Sequence, residues 1–81
     1  MCVRRYFFDF FDGLYWRKDK CGQEMCNLDD VTAETNEALI SLAPKMFARN
    51  RNGAISFVVR DDHENNVLKS TLTLENEILG A

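Results

Sequence analysis

A single histidine, His63, and a single proline, Pro44, are all that this chain of 81 residues has of either type. One histidine leaves the common nucleophile–base and triad arrangements without their base. No glycine-rich segment is present to cradle a phosphate, since Gly13, Gly22, Gly53 and Gly80 are scattered. The sequence therefore points away from an enzyme and holds no cofactor-binding signature. Cysteine is scarce and odd in number: Cys2, Cys21 and Cys26. An odd count without a secretory signal argues against a disulfide framework. The spacing of Cys21 and Cys26 is not the short knuckle of a zinc motif. A site built from them and His63 would offer three ligands where structural zinc takes four. Reduced, metal-free thiols are the expectation. No apolar run approaches the roughly 18–20 residues of a membrane span. Arg4 and Arg5 are followed by Asp9 and Asp12, which interrupt what would have to be the apolar segment of a signal peptide. A cytoplasmic protein is expected. Basic excess is lacking too, for the net charge is −3. The tightest basic cluster, Arg17-Lys18-Asp19-Lys20, contains an acid, and the group Lys45, Arg49 and Arg51 is loose. A nucleic-acid partner is not expected, because such proteins carry a basic patch or stripe.

What the chain does have is apolar and aromatic residues in ordered patterns. Hydrophobic residues make up 46% of it, enough for one thin core in one domain, 1–81. Tyr6, Phe7, Phe8, Phe10 and Phe11 crowd into one segment that closes on Asp12-Gly13. Aromatic residues favour a pleated, half-buried surface and Asp-Gly favours a hairpin turn, so a strand over about 4–11 is predicted. Tyr6, Phe8 and Phe10 fall on one side of it, and Arg5, Phe7, Asp9 and Phe11 on the other. Residues 14–18 read as the return strand, and Asp19 to Gly22 as a loop. A helix over about 28–48 follows, with Asn27 as its N-cap and Asp29 and Asp30 at its positive end. Leu28, Val31, Thr35, Ala38, Leu39, Leu42 and Met46 form its apolar stripe. Pro44 has no amide hydrogen to donate to Ile40, so a bend is expected there. A second hairpin pairs strands at about 54–61 and 67–74 across the polar loop Asp61–Asn66, and residues 75–81 read as a tail.

The predicted fold is α+β: a four-stranded antiparallel sheet in the order ββαββ, with one helix on one face. A strand order of 2-1-3-4 makes the two most apolar strands neighbours. Phe8, Phe10, Leu39, Leu42, Phe57 and Val59 are the expected core.

This order of features resembles a family of small uncharacterised alphaproteobacterial proteins classed as a domain of unknown function. The resemblance rests on Arg5-Tyr6-Phe7-Phe8 with Asp12-Gly13, then Asp19-x-x-Gly22-x-Glu24, the helix from Leu28 to Met46, the strand ending at Val59-Arg60-Asp61, and the strand Leu68 to Leu74. Asn27 stands where that family has Asp at the helix cap, and Asn65-Asn66 where it has Gly in the last turn. The resemblance implies a bacterial protein of this fold and transfers no activity.

Asp9, Asp12, Asp19 and Glu24 gather near the first hairpin, and Asp61, Asp62, His63 and Glu64 in the second loop. Turn and surface roles account for both groups more simply than acid–base or metal chemistry. The face that the helix leaves uncovered is the better lead. Strand alternation assigns it Phe7, Phe11, Tyr15 and Val58, and apolar patches of this kind mark interaction surfaces. A protein-interaction module, binding a protein partner or a second copy of itself, is the expectation. The other reading is an antitoxin-like or regulatory domain that binds a protein partner or nucleic acid, because a hairpin followed by a helix is broadly similar to the partner-binding part of HicB-type antitoxins.

Overall fold

A computed structural model describes residues 3–48 and 53–80. It shows strands β1 (Arg4–Phe11), β2 (Trp16–Arg17) and β3 (Gln23–Met25), helix α1 (Leu28–Met46), then β4 (Gly53–Arg60) and β5 (Asn66–Leu74). All pairings are antiparallel, and the sheet runs β2-β1-β4-β5, with β3 also paired to β1. The class is α+β, with five strands rather than four. The extra strand comes from the segment after Gly22. Arg4, Arg5 and Tyr6 pair there with Met25, Glu24 and Gln23, so β1 carries two short partners along one edge.

The first hairpin is shorter in its return arm than alternation suggests. Asp12 Oδ1 accepts the amides of both Leu14 and Tyr15 at 2.8 Å. Those two residues belong to the turn, and pairing resumes only at Trp16, opposite Phe11. In the second hairpin, the register shifts between Val59, which pairs with Leu68, and Arg60, which pairs with Asn66. Val67 is the extra residue of this bulge. As a result, Val67 and Leu68, though consecutive, both pack against Tyr6, Val31 and Val59.

Helix α1 starts where Asn27 accepts the Asp30 amide at 2.8 Å. It runs through the exposed Pro44 and closes at Met46, two residues short of the expected Ala48. Phe47 leaves helical geometry at φ −98°, ψ 1°, while its amide still donates to Ala43 at 2.9 Å. Residues 49–52, with Arg49 and Arg51, lie outside the described residues, as does Cys2.

Val31, Thr35 and Leu39 form the buried stripe of α1. Thr35 tolerates complete burial because its hydroxyl donates to Val31 O at 2.7 Å. The core has two clusters: Phe10, Leu39, Ile55 and Phe57 at one end, and Tyr6, Val31 and Val59 at the other. Of the expected core, Phe10, Leu39, Phe57 and Val59 are buried, whereas Phe8 and Leu42 are half-buried. The reason is the helix position. Helix α1 packs mainly on β4 and β5 and reaches β3 near its start. A groove of about 480 Å³ is left between α1 and the outer part of β1, with Phe8, Phe10, Phe57, Leu42 and Met46 along it.

Candidate functional site

The helix-free face is built by cross-strand partners, which share a face in an antiparallel sheet. Phe11 faces Trp16 on one side and Ser56 on the other, Asp9 faces Val58, and Phe7 faces Arg60. Phe7, Phe11 and Val58 therefore lie together on this face, each half-buried. Tyr15 does not stand in the row beside Phe11. It sits in the turn, and Trp16 takes that place, its ring 4.9 Å from the Phe11 ring. Turn length sets register, and a shift of one residue moves a side chain to the other face. At this corner the hairpin presents three large apolar side chains to solvent: Leu14 is 82% exposed, Tyr15 74% and Trp16 59%.

Phe7 is covered from the other end of the face. The Arg60 guanidinium lies 4.8 Å from its ring centre. Arg60 is only 7% exposed and is the hub of a polar cluster. Its Nε donates to Asp9 Oδ2 at 2.7 Å and its Nη2 to Asp9 Oδ1 at 3.2 Å. Nη2 also donates to the Asp19 carbonyl at 2.9 Å, and Nη1 to Glu64 at 3.0 Å. Asp19 completes the cluster with its own backbone and side chain. Its amide donates to Asp9 at 2.9 Å. Its carboxylate accepts the amides of Cys21 and Gly22 at 3.1 Å and that of Phe8 at 3.0 Å. Phe8 lies between the residues of β1 that pair with β3 and those that pair with β2. Asp19 therefore satisfies the edge amide that neither short strand reaches.

Burial alone pushes the Asp9 carboxyl up, but the Arg60 hydrogen bond and the Asp19 amide outweigh it, and the group titrates below the usual carboxylate range. The same balance holds for Asp19: burial pushes it up, and the amides of Phe8, Gly22 and Cys21 together with Arg60 bring it down further. The Asp9 hydrogen bond in turn raises Arg60. Asp61 is lowered by the Asn65 amide first, with His63 adding to it. These carboxylates stay ionised in the folded chain at a pH where the unfolded chain, with an ordinary value of about 3.9, has taken up protons. Their stabilisation is complete above that value and is lost as the pH falls through the lower folded values. The denaturant midpoint should thus hold between pH 7 and 5 and drop steeply below about pH 4. Asp19→Asn should begin lower at pH 7 and show a shallower acid drop. Parallel acid limbs in the two proteins would contradict the assignment.

The acid groups seen in the sequence are thereby given places. Asp9 and Asp19 converge on Arg60. Asp12 holds its turn. Glu24 pairs with Arg5 at 3.0 Å at the surface. Asp61 Oδ1 accepts the amides of His63 and Asn65 at 2.8 and 2.9 Å and so shapes the second loop. The residue with left-handed backbone in that loop is Glu64, at φ 67°, rather than Asn65 or Asn66. Cys21 and Cys26 are exposed free thiols. Among the described residues, no three Cys, His, Asp or Glu side chains converge as a metal site would require. No described helix is long and apolar enough to cross a membrane.

Gly22 ties the loop to this cluster. It has φ +72°, and a Cβ there would lie 2.9 Å from Arg5 Cγ and from the Phe7 ring. The left-handed conformation alone costs an L-residue about 1–2 kcal/mol. Gly22→Ala should therefore lower the melting temperature by several degrees in thermal unfolding, and an unchanged value would contradict the tight packing of this loop on Phe7.

A family model matches residues 5–73. The chain belongs to the domain of unknown function family DUF6894. The matched span runs from Arg5 in β1 to Thr73 in β5, so it takes in all but the end residues of the sheet, the helix and the Asp9–Asp19–Arg60 cluster. No curated protein and no solved structure matches the chain.

Sequence reasoning missed Arg60 as the hub. The signal was present only in combination: Arg60 is the one charged residue of β4, and Asp9 is the one acid inside β1. Pairing the two strands brings them together.

Proposed function

We propose that this chain is a small protein-interaction module without catalytic activity, and that it holds a protein partner at the aromatic corner of its helix-free face. The observation behind this reading is the exposure of Leu14, Tyr15 and Trp16 beside Phe11, on a turn fixed by Asp12. Tyr and Trp are the side chains that most often anchor protein interfaces, because each buries a large apolar body and keeps one polar atom for a hydrogen bond. Phe7 and Val58 extend the patch inward, and Arg5, exposed on the same face, borders it. The roles of the acids support a non-catalytic reading. Asp9, Asp12, Asp19 and Asp61 each accept hydrogen bonds from backbone amides or Arg60, which favours fixed anions over groups that exchange protons near neutral pH.

Trp16→Lys tests the proposal. Trp16 is 59% exposed, so the fold should persist by circular dichroism while partner binding is lost. Binding that survives the substitution would refute this site. Binding to nucleic acid that falls steeply with salt would refute the class of partner.

A further inference from the structure

The two edges of the sheet are treated differently. The β1 edge is closed by β2 at one end, by β3 at the other, and by the Asp19 carboxylate on the Phe8 amide between them. The β5 edge is left open: among the described residues β4 is the only strand that pairs with it. It runs for nine residues, Asn66–Leu74, and Lys69 is its only charge. Natural sheets blunt such edges with bulges, charges, proline or a cover, because an open edge recruits another strand. On β5 the bulge at Val67 and the charge of Lys69 lie toward its start, and Ser70–Leu74 is left regular and uncharged. Beside its middle, Asn36, Leu39 and Ile40 of α1 form an uncharged groove with Ser70, Thr71 and Leu72. Ile40 is 67% exposed at this groove.

We infer that β5 is a dimerisation edge, and that its occupant is β5 of a second copy of this chain, antiparallel about a twofold axis at Leu72. Charge and symmetry select this arrangement. An antiparallel twofold pairs residues of the same face, so residue 72 faces itself and residue numbers across the seam add to twice that number. Leu72 then meets Leu72, Thr71 meets Thr73, and Lys69 meets the partner's Glu75, with the partner's Glu77 diagonal to it. The one cation of the edge is matched by the acids that follow it, and both Lys69 and Glu75 are exposed in the single chain. On the helix side, the two grooves come edge to edge, so that Ile40 and Leu72 of both copies cover one another. The sheet becomes continuous across the pair, with both helices on the same face. This surface is separate from the aromatic corner, so the inference stands independently of the proposed partner site.

Sedimentation equilibrium from micromolar to millimolar concentration tests it. The 9.4 kDa chain should form a dimer. Ile40→Lys should yield a monomer with an unchanged circular dichroism spectrum. Lys69→Glu should raise the dimer dissociation constant roughly tenfold, because each lost opposite-charge pair occurs twice by symmetry. Lys69→Glu combined with Glu75→Lys should restore it. Trp16→Lys should leave the dimer intact. Amide exchange gives a second readout: the outward amides within residues 70–74 should be protected in the wild type and exchange rapidly in Ile40→Lys. A wild type monomeric at millimolar concentration would overturn the inference. So would a dimer indifferent to Ile40→Lys, a charge swap that fails to restore association, or a dimer broken by Trp16→Lys.

Discussion

Arg60→Met is expected to destabilise the chain by about 3 kcal/mol or more, a large part of the stability of so small a domain. Arg60 donates to Asp9, Asp19 and Glu64 and lies over Phe7. Methionine keeps much of the apolar contact with Phe7 and removes every hydrogen bond. Asp9 then remains as a nearly buried anion whose remaining partner is the Asp19 amide. The same change made together with Asp9→Leu should cost clearly less than the sum of the two single changes, because a well-packed apolar pair avoids the stranded charge. A double-mutant cycle by denaturant unfolding checks this. Strict additivity would show that the two residues do not act as a pair.

Phe57→Ala is the second large expected effect. Phe57 is buried against Phe10, with ring centroids 4.9 Å apart, in the cluster that also holds Leu39 and Ile55. Removing such a ring costs about 3–5 kcal/mol, from lost transfer energy and the cavity left behind. Phe8→Ala should cost less, since Phe8 is half-buried at the open groove and its loss creates no closed cavity. Equilibrium unfolding of both variants measures the difference. A Phe8→Ala protein as unstable as Phe57→Ala would contradict the position of the helix over β4 and β5.

The strands that alternate strongly were the legible part of the fold. Tyr6, Phe8 and Phe10 in β1 and Ile55, Phe57 and Val59 in β4 mark the helix side unambiguously, and their pairing follows from burying both sets under one helix. Strand β3 was not legible. Gln23-Glu24-Met25 has no apolar alternation, and it pairs with β1 because Asp19 and Gly22 turn the chain back along that edge. The place of Tyr15 was illegible for a related reason. Strand alternation does not run through a turn whose geometry Asp12 decides; it restarts where pairing restarts, at Trp16. The position of Phe8 and Leu42 at an open groove depends on where the helix sits across the sheet, which the apolar stripe of a helix does not specify.

The short motifs behind the family resemblance acquire physical meaning in the same way. Asp19 and Gly22 of the loop, Glu24 after it, and Arg60-Asp61 at the end of β4 all take part in contacts that hold loops to the sheet. Among them, Asp19 anchors the chain just after β2, and the turn that presents Tyr15 and Trp16 is held by Asp12. A stable platform of this kind suits recognition, because an anchor held in one place loses little freedom on binding.

The most direct measurement of the central claim is a comparative capture from the source organism, with the wild-type chain and Trp16→Lys as baits of equal folded content. One protein should be retained in stoichiometric amount by the wild type and be absent from the variant's capture, and its purified form should bind the wild type with a 1:1 ratio. Equal retention of the same proteins by both baits, or of none, would contradict it.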